Sequence, residues 1–236
     1  MMRSFFLLYL IALCFTASAQ QRYISSAIIA FSGKAYERTI SDINIALLDE
    51  RNLSKEDRSK AYFYRGMARL KLIDAGASTV TDPYLSAFQD FRQVMNLNLE
   101  AWSGRANAAA EELFDELMAD ATAIRQLAVR EDNGQVKLRL LNRTLDHLNA
   151  ARIIHEDYHI TKMLGETYLS LGVIHGKTDE SRSLANYRAS LRYMEQALRV
   201  NNDCEVCISS LIEIAMSIGD AEREERYKLL MRSFLN

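Results

Sequence analysis

The segment 155–159 reads HEDYH, which fits the HExxH pattern of zinc hydrolases. On one continuous helix, its two histidines would lie a turn apart and bind the metal, with Glu156 as the general base. The sequence therefore offers a zinc-dependent hydrolase as an alternative function. Two features oppose it: Asp157 is charged where such enzymes hold an uncharged residue, and no candidate third ligand lies in a recognisable second motif.

Cys204 and Cys207 form a CxxC pair, the only cysteines beyond residue 19. No histidine follows the pair, so c-type haem attachment is excluded, and two thiols are too few for a cysteine-only zinc site. Two interpretations remain open: a local disulfide in an oxidising compartment, or two thiols packed at a helix start. Since Cβ atoms three residues apart within a helix are about 5–6 Å apart, a bridge requires Cys204 at the cap.

The composition favours helices and excludes several classes of protein. The 236 residues include one proline and nine glycines, too few for the turns of a sheet protein or for a glycine-rich phosphate loop. The 29 basic residues nearly balance the 31 acidic ones, so nothing draws the chain to nucleic acid. No metal site beyond the HExxH alternative and no cofactor is expected.

Apolar residues recur at spacings of three and four along most of the chain, as Leu138, Leu141, Leu145 and Leu148 illustrate. This spacing predicts an all-α fold of about ten helices, stacked as antiparallel hairpins. We expect helices over 23–32, 35–50, 55–74, 84–97, 101–131, 135–155, 158–173, 181–200, 204–218 and 221–234. Gly134 is expected to end a helix in the left-handed conformation.

The first nineteen residues have the features of a cleaved signal peptide. Arg3 precedes an apolar run over 5–15, and the small residues 17–19 form a signal-peptidase site. The run is too short to span a membrane, and no other run approaches 18 apolar residues. We therefore expect a protein that is periplasmic or secreted, without an integral span, and a single domain over 20–236.

In two segments of the chain, a glycine follows seven residues after a position within a predicted helix. Gly172 follows seven residues after Gly165, and Gly219 follows seven after Ile212. The lines GETYLSLG…YMEQALRVNND and IEIAMSIGDAEREERYKLL resemble the tetratricopeptide repeat, in which each repeat is a helix hairpin. In that frame Gly165 is a packing position, and a glycine such as Gly172 ends the first helix. Gly66 with Phe91 fits the same frame upstream.

The resemblance implies an exported, non-catalytic scaffold that binds a protein or peptide on a concave face lined by the first helix of each pair. Asp157 would lie at a turn, which separates the two histidines of the HExxH pattern. The small side chains of Ala106 and Ala110 would leave room for the ligand, and Phe63 and Met67 would form apolar contacts with it. The expected lining comprises Lys60, Phe63, Met67, Ala106, Ala110, His159, Lys162 and Glu166, followed by Ser209 and Glu213.

Overall fold

The computed structural model describes residues 19–76 and 83–235, and within these ranges the chain is helical without a strand. The predicted all-α class is confirmed. The predicted signal segment lies, apart from Ala19, outside the described residues. The helices are α1 (19–32), α2 (Tyr36–Ala46) followed by a 3₁₀ turn (Leu47–Asn52), α3 (Lys55–Asp74), α4 (Pro83–Leu97), α5 (Glu100–Arg130), α6 (Gly134–Ile154), α7 (Tyr158–His175), α8 (Glu180–Val200), α9 (Glu205–Ile218) and α10 (Ala221–Leu235).

Short polar side chains fix where several helices begin. Ser54 accepts a hydrogen bond from the backbone N–H of Asp57 at the start of α3. Asp157 and Asp179 cap α7 and α8 in the same way. Asn133 caps α6, so Gly134 is the first residue of that helix. The expectation that Gly134 is a left-handed stop was wrong; Gly219, with φ of +72°, holds that conformation after α9.

The chain divides into two compact units whose boundary falls within α5, between Glu112 and Leu113. In the first unit, α3 packs against α2 and α4. In the second, α7 pairs with α8 and α9 pairs with α10, while α8 also contacts α9. Consecutive helices thus pack as the predicted hairpins within each unit.

Glycine allows the two helices of the α7–α8 hairpin to approach closely. A Cβ on Gly165 would lie 2.9 Å from the Met194 side chain, and one on Gly172 would lie 2.8 Å from the Tyr187 ring. Both positions therefore serve packing, as predicted for Gly165. Gly172 does not end the helix, because α7 continues to His175.

The core of the second unit includes a cluster that joins α8, α9 and α10. Met194, Ile208, Leu211 and Tyr227 are among its fully buried members. A separate cluster in the first unit joins α1, α2 and α3. Within the described ranges, every helix is too short or too polar to cross a lipid bilayer.

Candidate functional site

The HExxH residues lie on two different helices. His155 is the extended residue that ends α6, and Asp157 caps α7, so His159 belongs to the first turn of the next helix. The His155 ring packs edge-on against Phe114, 5.7 Å between centroids, while His159 packs against Tyr158. The one-turn spacing that a zinc hydrolase needs on a single helix is therefore absent at this segment. Across residues 19–76 and 83–235, no three His, Cys, Asp or Glu side chains are grouped to hold a metal ion.

The cysteine pair is joined in a disulfide at the start of α9. The two sulfur atoms are 2.09 Å apart, and Cys204 occupies the cap position, as the spacing argument required of a bridge. Its sulfur accepts a hydrogen bond from the Cys207 backbone N–H. Both residues are buried in the core cluster of the second unit, so this disulfide connects the start of α9 to that core.

Three of the expected lining residues in the first unit are buried. Phe63 is 6% exposed, Ala106 is fully buried and Ala110 is 3% exposed. These three side chains are covered by other parts of the chain and present little open surface in this structure. Lys60 and Met67 are half-buried, and Lys60 pairs with Glu56 one turn earlier.

Three of the expected lining residues of the second unit form one stripe along α7. His159 is exposed, and Lys162 and Glu166 follow at helical spacing. Glu166 pairs with Arg125 of α5 at 2.7 Å and lies 3.9 Å from Lys162. The Glu166 carboxylate therefore joins α7 to α5 and lies between two cations.

A cleft of about 500 Å³ continues this stripe toward the end of α7. Its apolar part comes from α7, where Val173 is 45% exposed. Charged groups of both signs surround that part, and Glu213 of α9, an expected lining residue, is among them. The lining residues are Glu131, Asp132, Gly134, Lys137, Leu169, Ser170, Val173, Ile174, Lys177 and Glu213.

The cleft residues of α7 were not predicted from the sequence, although their signal was present. Ser170 and Val173 extend the spacing set by His159, Lys162 and Glu166, and Val173 is apolar on a face that is otherwise polar. An apolar floor with charged groups of both signs suits an amphipathic peptide better than a uniformly charged ligand.

No known family model matches the sequence, and no curated protein is significantly similar to it.

Proposed function

We propose that this chain is an exported, non-catalytic helical scaffold, resembling tetratricopeptide proteins, that binds a protein or peptide segment along α7. The observation that carries the proposal is the cleft beside Leu169, Val173 and Ile174, whose apolar floor is open and whose rim is charged. Its volume is within the roughly 300–1,000 Å³ of ordinary ligand sites. A short extended segment fits it better than a large flat partner surface.

The lining of this cleft carries charges of both signs. Lys137 and Lys177 provide two cations, while Glu131, Asp132 and Glu213 provide three carboxylates. A peptide with an apolar side chain between a basic and an acidic residue would complement both signs. The separation of His155 from His159 across a helix boundary supports a binding role over the alternative zinc-dependent hydrolase.

Export is the second part of the proposal. It rests on Arg3, the apolar run over 5–15 and the small residues 17–19, and it agrees with a disulfide at Cys204 and Cys207. N-terminal sequencing of the exported protein should begin at Gln20, and the unreduced peptide with both cysteines should be two hydrogens lighter than its reduced form. An intact Met1 on the exported protein would contradict processing, and two freely alkylated thiols would contradict the bridge.

The binding site is tested by filling the cleft. Val173→Arg places a long cation on an exposed floor position, so it should abolish recovery of a partner cross-linked to the wild type while the circular dichroism spectrum stays helical. Val200→Arg is the matched control, because Val200 is also exposed, at 69%, and lies outside the cleft. It should leave recovery unchanged.

The enzyme alternative is tested with the same preparations. His155→Ala should change neither partner recovery nor any hydrolysis of unfolded protein substrates by the purified chain. If His155→Ala removed a stoichiometric bound metal or a hydrolytic activity while Val173→Arg had no effect, the zinc-dependent hydrolase would replace the binding scaffold.

A further inference from the structure

Aromatic rings form a continuous row in the first unit. Phe31 of α1 lies 5.3 Å from Tyr64 of α3, and Tyr64 lies 6.3 Å from Trp102 of α5, between ring centroids. The buried Phe63 ring packs against this row, with its centroid 5.6 Å from that of Trp102. The three residues of the row, Phe31, Tyr64 and Trp102, are half-buried. Successive rings are inclined by 60–70° to each other.

Arg105 extends this row on α5. Its guanidinium carbon lies 4.6 Å from the centroids of both Phe63 and Trp102, so two rings hold its plane in place. Arg105 is exposed, and in the described part of the chain its guanidinium has neither an ion pair nor a hydrogen bond. Stacking therefore orders a cation whose N–H groups remain available.

The polar groups of the row are hydrogen-bond donors without partners. Among residues 19–76 and 83–235, neither the Trp102 indole N–H nor the Tyr64 hydroxyl has a hydrogen-bond partner. Together with Arg105, they give the surface N–H and O–H groups beside aromatic rings. No carboxylate belongs to the row. Arg105 and Trp102 can only donate, and the Tyr64 hydroxyl can donate or accept, so the surface favours a ligand that is rich in acceptors and apolar rings.

We propose that the surface formed by Phe31, Tyr64, Trp102 and Arg105 binds proline-rich peptide segments in the polyproline II conformation. Proline has no backbone N–H, and the carbonyl groups of this conformation have no internal hydrogen bonds, so such a segment offers acceptors and apolar rings only. Two residues of a polyproline II helix advance about 6.2 Å, close to the spacing of the rings, so residues two apart can contact successive rings. Grooves between inclined aromatic rings receive proline side chains in other proteins that bind such segments.

Other ligand classes fit this surface less well. The fixed positive charge of Arg105 repels cationic ligands from the rings that would otherwise attract them. A sugar needs acceptors as well as donors for its hydroxyl groups, and it stacks on an open ring face, whereas Arg105 covers one face of Trp102. An acidic peptide could pair with Arg105, but its carboxylates would not pack against the aromatic rings.

The test is a titration of the purified chain with a fluorescein-labelled decaproline peptide, followed by anisotropy and by the emission of Trp102, the only tryptophan. Decaproline should bind and shift that emission, whereas a glycine–serine peptide of equal length should do neither. Tyr64→Phe and Arg105→Met each remove donors and keep most of the apolar surface, so each should weaken binding roughly two- to tenfold. Tyr23→Phe and Arg92→Met, at exposed positions of the same unit outside the row, should bind like the wild type.

Absence of decaproline binding to the wild type would overturn the proposal. Tighter binding of a glutamate-rich peptide or of a glucose oligosaccharide, with the same sensitivity to Arg105→Met, would overturn it in favour of that class. Equal weakening by Tyr64→Phe and Tyr23→Phe would also overturn the assignment of the surface. The outcome is independent of the cleft along α7, because Val173→Arg should bind decaproline normally even where it loses its other partner.

Discussion

The α3–α4 hairpin and the α7–α8 hairpin bring their helices together at a glycine, but they satisfy the polar groups around that glycine differently. In α3–α4, Gly66 faces the Phe91 ring, and a Cβ there would lie 2.7 Å from it. In α7–α8, Gly165 faces the more flexible side chain of Met194. In both hairpins, contacts advance along the first helix as they retreat along the second, so both pairs are antiparallel.

The α3–α4 hairpin concentrates its polar interactions on one buried carboxylate. Asp90 of α4 is 2% exposed and pairs with Arg65 at 2.7 Å and Arg69 at 2.6 Å, both from α3. Burial raises the pKa of the Asp90 carboxyl, and the two guanidinium groups oppose that rise. The carboxylate is thus costly to bury and depends on both partners.

The α7–α8 hairpin distributes its polar interactions over two neutral bonds. The Ser190 hydroxyl donates to the Gly165 carbonyl at 2.6 Å, and the Ser183 hydroxyl donates to the Gly172 carbonyl at 2.8 Å. The two bonds are seven residues apart along both helices. Neutral bonds of this kind can be lost one at a time, whereas both ion pairs of α3–α4 are lost when the Asp90 carboxylate is removed.

The largest loss of stability should come from Asp90→Ala, which leaves two partly buried arginines without their ion-pair partner. We expect a loss of about 3 kcal/mol in the free energy of unfolding, measured by urea denaturation. Asp74→Ala is the control, since Asp74 pairs with Lys71 at the surface and should change stability by less than about 0.5 kcal/mol. Equal effects of the two substitutions would mean that the ion cluster does not stabilise the hairpin.

The next largest loss of stability should come from Gly66→Ala, which we compare with Gly165→Ala. Gly66→Ala pushes against the rigid Phe91 ring and should destabilise by about 1–2 kcal/mol, while Gly165→Ala should cost less because Met194 can change rotamer. Gly104→Ala on α5 is the control: no atom lies within 4 Å of its added Cβ, so it should stabilise by about 0.5–1 kcal/mol. Stabilisation by Gly66→Ala in urea denaturation would contradict the close approach.

The sequence predicted these glycines better than it predicted the ion cluster or the site. A glycine inside an apolar helical stripe has few roles other than close packing, so Gly165 could be interpreted correctly. Asp90 could not, because helical periodicity assigns a charged residue to the solvent face and carries no information on partners 21–25 residues away. The same limit applies to Phe63 and Ala106: an apolar or small residue facing inward looks alike in sequence whether a ligand or another part of the chain covers it.

A smaller loss of stability should follow when the buried Ser190 hydroxyl is removed. Ser190→Ala leaves the Gly165 carbonyl without its buried side-chain donor and should cost about 1 kcal/mol in urea denaturation. Ser217→Ala, which removes an exposed hydroxyl bonded within its own helix, should be neutral within about 0.5 kcal/mol. If both serine variants behave alike, the hydroxyl of Ser190 contributes nothing specific to the α7–α8 contact.

The last effect on stability should appear only at alkaline pH, and it occurs in both units. Tyr62 donates to Glu50 and Tyr227 donates to Glu195, each at 2.5 Å. Burial, followed by the nearby carboxylate, raises the pKa of each hydroxyl from 10.0 to about 12. The unfolded chain therefore loses these protons first, so the stabilisation is complete below pH 10 and is lost as the pH rises toward 12.

Urea denaturation at a series of pH values should show this decline in the wild type, and Tyr62→Phe and Tyr227→Phe should each make it shallower. Tyr23→Phe should leave the slope unchanged, because Tyr23 is 40% exposed and has no hydrogen-bonded carboxylate within the described residues. The pKa is raised to about 12 at both hydroxyls, so the two variants should flatten the decline to a similar extent. A slope unaffected by either variant would show that these hydroxyls ionise equally readily in the folded and unfolded chains.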